Sequence, residues 1–129
     1  MIGEMDEVTL RVDSNVKAPR QSRSHLESMK PALGERFDDV VLVVSELVSN
    51  SVRHSNADQS SAGIDVKVSV RTGHIRIEVA DKGPGFSIDT PRGEGMGLAI
   101  VERLADRWGM SDGHRKFVVW AELSAEPSQ

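Results

Sequence analysis

The chain contains no cysteine. Disulfides, thiol nucleophiles and thiolate metal sites are thereby excluded. It has no run of lysines or arginines, and its formal net charge is −4. A nucleic-acid surface ordinarily shows a basic stripe, so direct nucleic-acid binding is not expected, and an anionic membrane is disfavoured on the same ground. Long apolar runs are also missing. The longest, Val40 to Val44, falls far short of the roughly 20 residues that span a bilayer. Met1-Ile2-Gly3-Glu4 lacks the basic and apolar regions of a secretory signal, so the expected compartment is the cytosol. No serine stands in a Gly-x-Ser-x-Gly elbow, and no Gly-Lys-Ser/Thr phosphate loop occurs. His25, His74 and His114 are scattered without the spacing of metal ligands.

What is present is ordinary in bulk. Hydrophobic residues make up 38% and charged residues 28% of 129 residues, which predicts one domain, 1–129, with a real core and no second domain. Val8 to Val12 alternates briefly, as an edge strand does. Pro19 suits the first turn of a helix through Leu26 and Met29 toward Leu33, distorted by Pro31 and stopped at Gly34. Asp38 or Asp39 is placed to cap a second helix that turns Val41, Val44, Leu47 and Val48 inward and runs to about His54. Asn56 to Gly63 reads as a loop.

From Ile64 the period changes to two. Ile64, Val66, Val68 and Val70 share one face, Thr72-Gly73 turns the chain, and Ile75, Ile77 and Val79 alternate in return. Such a hairpin has one wet face, and helices must cover the dry one. Leu98, Val101, Leu104, Ala105 and Trp108 make a further helical stripe, and Trp108 and Trp120 read as core or interface anchors. Asp112-Gly113 marks a turn before a last strand, Phe117 to Leu123, and the tail from Ser124 to Gln129 is expected to fray. The predicted architecture is a two-layer α/β (α+β) sandwich, its sheet antiparallel or mixed and covered on one face by three helices.

Three segments carry chemistry. Glu46 and Asn50 stand four residues apart in the second helix and project from the same side, with Ser49 and Arg53, on what reads as the face opposite the apolar stripe. A carboxylate can take a proton from an attacking hydroxyl, a neutral amide oxygen can ligate magnesium, and Arg53 and His54 can meet phosphate charge. Asp81-Lys82-Gly83-Pro84-Gly85-Phe86 closes a strand with an aspartate able to accept from an exocyclic amine, beside glycines that admit a flat ring. Gly93-Glu94-Gly95-Met96-Gly97-Leu98 opens a helix whose free amides attract phosphate. It is not a dinucleotide fingerprint, because Leu98 stands three after Gly95 and a loop precedes it. Each segment alone is also what a solvated helix face, a turn or a loop capping a core helix looks like. Their joint order is harder to explain that way.

In that order the segments resemble the GHKL (Bergerat-fold) ATPase superfamily, and more closely the bacterial anti-sigma factor serine/threonine kinases, which share a histidine kinase-like ATPase domain. Glu46 to His54 matches the family's N-box, Asp81 to Phe86 its first glycine box and Gly93 to Val101 its second. Leu104 to Gly109 and Val119 to Leu123 also fit. The resemblance implies ATP and Mg2+ as cofactors, with Asn50 on the magnesium and Glu46 as general base toward a partner's serine or threonine. It implies Asp81 on the adenine amine, Gly83 and Gly85 in the adenine wall, and Arg53 and His54 at phosphate or ribose. Gly93, Gly95, Met96, Gly97 and Leu98 would line the phosphate side under a lid, Ser87 to Arg92, from which Arg92 reaches the terminal phosphate. Two departures stand out: the lid is very short, and Val118 falls near a threonine that helps adenine recognition in many relatives.

The implied function is an ATP-dependent kinase that phosphorylates a STAS-domain anti-anti-sigma protein and sequesters a sigma factor, as a possible homodimer. The alternative is a nucleotide-gated binding module without useful phosphotransfer. A histidine kinase catalytic domain is not expected, since 129 residues leave no space for a phosphoacceptor hairpin.

Overall fold

The alternating runs assemble into one five-stranded sheet in the computed structural model of the chain, which describes residues 5–13, 15–54, 63–81, 98–113 and 116–125. The strands are β1 (Met5–Val12), β2 (Ile64–Arg71), β3 (His74–Asp81), β4 (Arg107–Gly113) and β5 (Lys116–Ser124), in the order β1-β2-β3-β5-β4. Every neighbouring pair is antiparallel, so of the two expected sheet types the antiparallel one forms. Register stacks the apolar sets on one face. Leu10 and Val12 sit across from Val66 and Ile64, Val66 and Val68 across from Val79 and Ile77, and Ile77 and Val79 across from Ala121 and Val119. All of these are buried.

Helices α1 (Ala18–Leu26), α2 (Lys30–Leu33), α3 (Phe37–His54) and α4 (Leu98–Leu104) supply the second layer. α3 is its centre, packed against α1, α4, β2 and β3. Its Val40, Val43, Val44, Leu47 and Val48 are essentially excluded from water, each contributing about 1.5–3 kcal/mol on burial. Among the described residues no helix is long and apolar enough to cross a membrane.

The structure differs from expectation at four places. The helix expected from Pro19 to Leu33 is broken by a 3₁₀ turn at Glu27–Met29, and Pro31 sits in the first turn of α2, where its missing N–H costs nothing. Gly34, at φ 54°, ends α2 as expected. Asp38 and Asp39 do not cap α3 from outside. The helix already begins at Phe37 after a second 3₁₀ turn, so both acids lie in its first turn, favourably placed toward its positive end. Trp108 is not on a helix. α4 stops at Leu104, the Ala105 amide closes the last turn onto the Val101 carbonyl, and the Asp106 amide already donates to Glu122 of the sheet. Trp108 and Met110 therefore belong to a strand, β4, which the sequence did not announce, and Asp112-Gly113 is its end. Finally, Ser124 is not frayed: it closes β5, and the next amide, of Ala125, donates to the Gly73 carbonyl at 2.9 Å.

Arg36 ties the layers together. Its buried guanidinium donates to the Ser124 carbonyl at 3.0 Å, the Leu104 carbonyl at 3.3 Å and the Asp39 carboxylate at 2.7 Å. The far face of the sheet is polar, as the alternation requires. On it Glu122 receives Arg76 and Arg107, and Arg76 also pairs with Glu78 while lying 4.8 Å over the Trp120 ring.

Candidate functional site

Helix α3 positions the first group of expected site residues. Asn50 is only 1% exposed, and neither its Nδ2 nor its Oδ1 has a hydrogen-bond partner among the described residues. This corrects the expected face. Asn50 follows Val43 by seven residues and Leu47 by three, so it continues the buried stripe and does not oppose it. Glu46 and Ser49 are half-buried at the border of that stripe, and Arg53 is exposed. His54 ends the helix, but its side chain lies outside the described residues.

A buried amide left without partners costs about 1–3 kcal/mol. A buried amide that nothing among the described residues meets can take its partner from a ligand or from residues outside them. The carboxamide oxygen is neutral, hard and held in place by packing, which fits a magnesium ion that takes one or two protein oxygens and keeps its other positions for water and phosphate. No group of three or more His, Asp or Glu among the described residues could hold a metal by itself. The donor set fits a cation shared with a phosphate ligand.

Asp81 is the last residue of β3 and 7% exposed. By alternation it follows Ile77 and Val79 on the inner face, so a carboxylate stands where the apolar layer ends. Register places Phe117 across from Asp81 and Val118 across from Ala80. Val118 thus faces the other side of the sheet, and its lack of a hydroxyl does not bear on Asp81. Leu98 is buried as the first residue of α4, and α4 packs on α3. Gly83, Gly85, Arg92, Gly93, Gly95, Met96 and Gly97, with the rest of both glycine segments and the lid, lie outside the described residues. The fold therefore gathers Glu46, Asn50, Asp81 and Leu98 onto adjoining elements of the helix-covered side.

One feature of this side had no signal in the sequence. A groove of about 370 Å³ is lined by Asn15, Val16 and Pro19 from the start of α1 and by Ser49, Val52 and Arg53 from α3. Its walls come from segments distant in the chain, so no local pattern could announce it.

Comparison with known proteins points the same way. The chain is 23% identical over 140 residues to a serine-protein kinase RsbW of Oceanobacillus iheyensis, covering 94% of this chain and 89% of that protein. It is 26% identical to the serine-protein kinase RsbW of Listeria innocua, over 78% of this chain and 76% of the relative. Among solved structures, that of the RsbU and RsbW domains of Rv1364c from Mycobacterium tuberculosis superposes with a TM-score of 0.70 at 22% identity. The match covers 92% of this chain but only 32% of that longer one, and at this identity it speaks for the fold. The catalytic domain of the histidine kinase ThkA shares the fold at a TM-score of 0.54 and 14% identity, over 95% of this chain and 96% of that one. Residues 9–122 match the model of the histidine kinase-like ATPase domain, a span that includes Glu46, Asn50, Asp81 and Leu98, and the chain belongs to that family.

Proposed function

We propose that this chain is an ATP-binding anti-sigma factor with protein serine/threonine kinase activity, which phosphorylates a STAS-domain anti-anti-sigma partner and sequesters a sigma factor. The observation that carries the reading is the buried Asn50 carboxamide, without a hydrogen-bond partner among the described residues and one helical turn beyond Glu46, in a chain of the histidine kinase-like ATPase family. Similar proteins bearing the name serine-protein kinase support it.

In this reading Asn50 holds Mg2+, which supplies charge neutralisation at the phosphates of ATP. Asp81 accepts from the adenine amine, and Gly83 and Gly85 let backbone approach the ring. Arg53 and His54 meet phosphate or ribose, and Arg92, Gly93, Gly95, Met96, Gly97 and Leu98 line the phosphate side. Glu46 is half-buried, at the edge of the stripe that hides Asn50, and so stays reachable for a partner's hydroxyl. It takes the hydroxyl proton as the oxygen attacks the terminal phosphorus. The bond from that phosphorus to its bridging oxygen breaks, ADP leaves with the electron pair, and a phosphoserine or phosphothreonine is formed. Positioning and charge neutralisation supply most of the rate. We read residues 1–129 as one domain that acts in the cytosol and pairs as a homodimer.

The test is transfer itself. Labelled Mg-ATP is mixed with the chain and a purified STAS-domain protein, and label is followed to a partner serine or threonine. Transfer is expected, and Glu46→Ala should abolish it while ATP still binds. Normal transfer by Glu46→Ala removes Glu46 as base. Binding of Mg-ATP with an unlabelled partner would make the chain a nucleotide-gated binding module.

A further inference from the structure

Arg36 is a buried cation whose hydrogen bonds go to three different elements. Nε donates to the Ser124 carbonyl at the end of β5, Nη1 to the Asp39 carboxylate in the first turn of α3, and Nη2 to the Leu104 carbonyl, the last of α4. A buried ion pair is a weak source of stability, because its attraction must first offset the lost hydration; its best-attested use is to fix one geometry. A planar guanidinium suits that use, since its donors point in set directions. α4 is the element that needs it. Only seven residues long, it buries Leu98 and Val101, and apolar packing has no direction that would fix a helix along its own axis. Among the described residues the one hydrogen bond that leaves α4 comes from Arg36 to Leu104, a carbonyl that the helix cannot satisfy itself. Just beyond, the Asp106 amide donates to the Glu122 carbonyl at 2.8 Å, and the Asp106 carboxylate accepts from the Ser124 amide at 2.9 Å. The end of α4 is thus clasped to the end of β5. Inside the clasp lies a cavity of about 150 Å³, lined by Arg36, Arg103, Leu104, Ala105, Asp106 and Ser124. Hydrogen bonds rather than close packing hold α4 at this end.

We infer that Arg36 is a positioning residue for the phosphate side of the nucleotide site. It holds α4 from the end remote from Leu98, about 9 Å away along the helix, and so fixes where α4 stands against α3, on which it packs. That Leu98 lies on the phosphate side and Asn50 on the cation belongs to the nucleotide-binding reading above, and the inference rests on that reading; the clasp itself does not. None of the three groups that Arg36 meets is assigned to the site, so Arg36 acts through α4. A shift of about 1 Å in a group that positions substrate can cost about a hundredfold in rate, even when the altered residue is far from the chemistry. The competing account is a long-range effect of the charge. Arg103 separates the two: it lines the same cavity, is exposed, and has no ion pair among the described residues.

Arg36→Met and Arg36→Lys are compared with the full wild-type chain by calorimetry with Mg-ATP, and by hydrogen exchange at nucleotide concentrations that give equal occupancy. Lysine keeps the charge beside Asp39, but its single nitrogen cannot replace the fork that reaches both carbonyls. Both variants are expected to bind Mg-ATP at least about tenfold more weakly, the strength of one hydrogen bond to a charged group. At equal occupancy Mg-ATP should slow exchange in α4 of the wild type and not of the variants, while the slowing at the end of β3, around Asp81, is kept in all three. Arg103→Ala should bind Mg-ATP as the wild type does. If Arg36→Met does not fold, Arg36→Lys carries the test. Wild-type affinity in Arg36→Lys overturns the inference. Equal loss of slowing in α4 and β3 overturns it too, since a merely structural tie would loosen both. A loss in Arg103→Ala as large as that in Arg36→Lys does the same, by assigning the effect to charge. If the wild type binds no Mg-ATP, the nucleotide reading falls and the inference with it. If the wild type binds and both Arg36 variants bind equally well, the inference alone falls.

Discussion

Glu122 is an acid held almost out of water on the polar face of the sheet, its side chain 10% exposed. Burial pushes its carboxyl up, but hydrogen bonds from Arg107 and Arg76 outweigh that and hold it below the ordinary carboxylate range. Arg76 in turn is held above its ordinary value by Glu78 first, against the effect of burial, and then by Glu122. A group whose folded pKa is depressed contributes stability above its unfolded value, near 4.5, and loses it as the pH falls through the folded one. Glu122→Gln should therefore melt lower than the wild type at neutral pH, with the two curves converging below pH 4.5. Melting curves across pH 2.5–7 check this, and curves that stay parallel would sink it. Alternation shows which face Glu122 takes, but its partners stand 46 and 15 residues away, and only the register brings them together. The same limit applies at Asn50. The four-residue spacing from Glu46 is legible in the sequence, yet polarity alone puts the amide on the wet side. Its place in line with Val43 and Leu47 decides the matter.

The β2–β3 hairpin is the element most plainly written in the sequence, and it carries a local conflict. Arg71 pairs with His74, so Thr72 and Gly73 form a two-residue turn, with φ of 25° and 74°. A turn with both central residues at positive φ suits Asn-Gly, and a β-branched threonine is strained there. Thr72→Asn should raise stability by about 1 kcal/mol, seen as a higher urea midpoint with an unchanged slope. An unchanged or lower midpoint would show that the turn is not strained at Thr72. β4 is the opposite case. Gly109, Ser111, Asp112 and Gly113 have little strand preference, while Trp108 extends the helical spacing of Leu98, Val101 and Leu104. Pairing with β5 makes this segment a strand. Gly109 is suited to its place because a Cβ there would come within 2.8 Å of the Trp120 ring that lies across it. Local propensity could show that turn and those helices, but not an edge strand recruited by its neighbour.

At the scale of the whole molecule, a core of aliphatic side chains encloses one carboxamide that nothing among the described residues satisfies. Its cost of about 1–3 kcal/mol is of the same size as what a ligand returns, since binding at a hundred times Kd adds about 2.7 kcal/mol. On this account the described part of the free chain is less stable than its packing allows, with the Asn50 carboxamide and the Ser22 hydroxyl as its buried side-chain groups without a partner there. Leucine has the same branching and number of side-chain heavy atoms and no polar ones, so Asn50→Leu should raise the melting temperature of the free chain by a few degrees. It should also erase the further rise that Mg-ATP gives the wild type. The two effects have opposite signs and one cause, which makes the pair of measurements decisive. A structural amide would give the reverse: Asn50→Leu would melt lower, and the increment from Mg-ATP would survive. A variant that melts higher and still responds to Mg-ATP would place the cation elsewhere, and Glu46 would then lose the neighbour that marks it as the base.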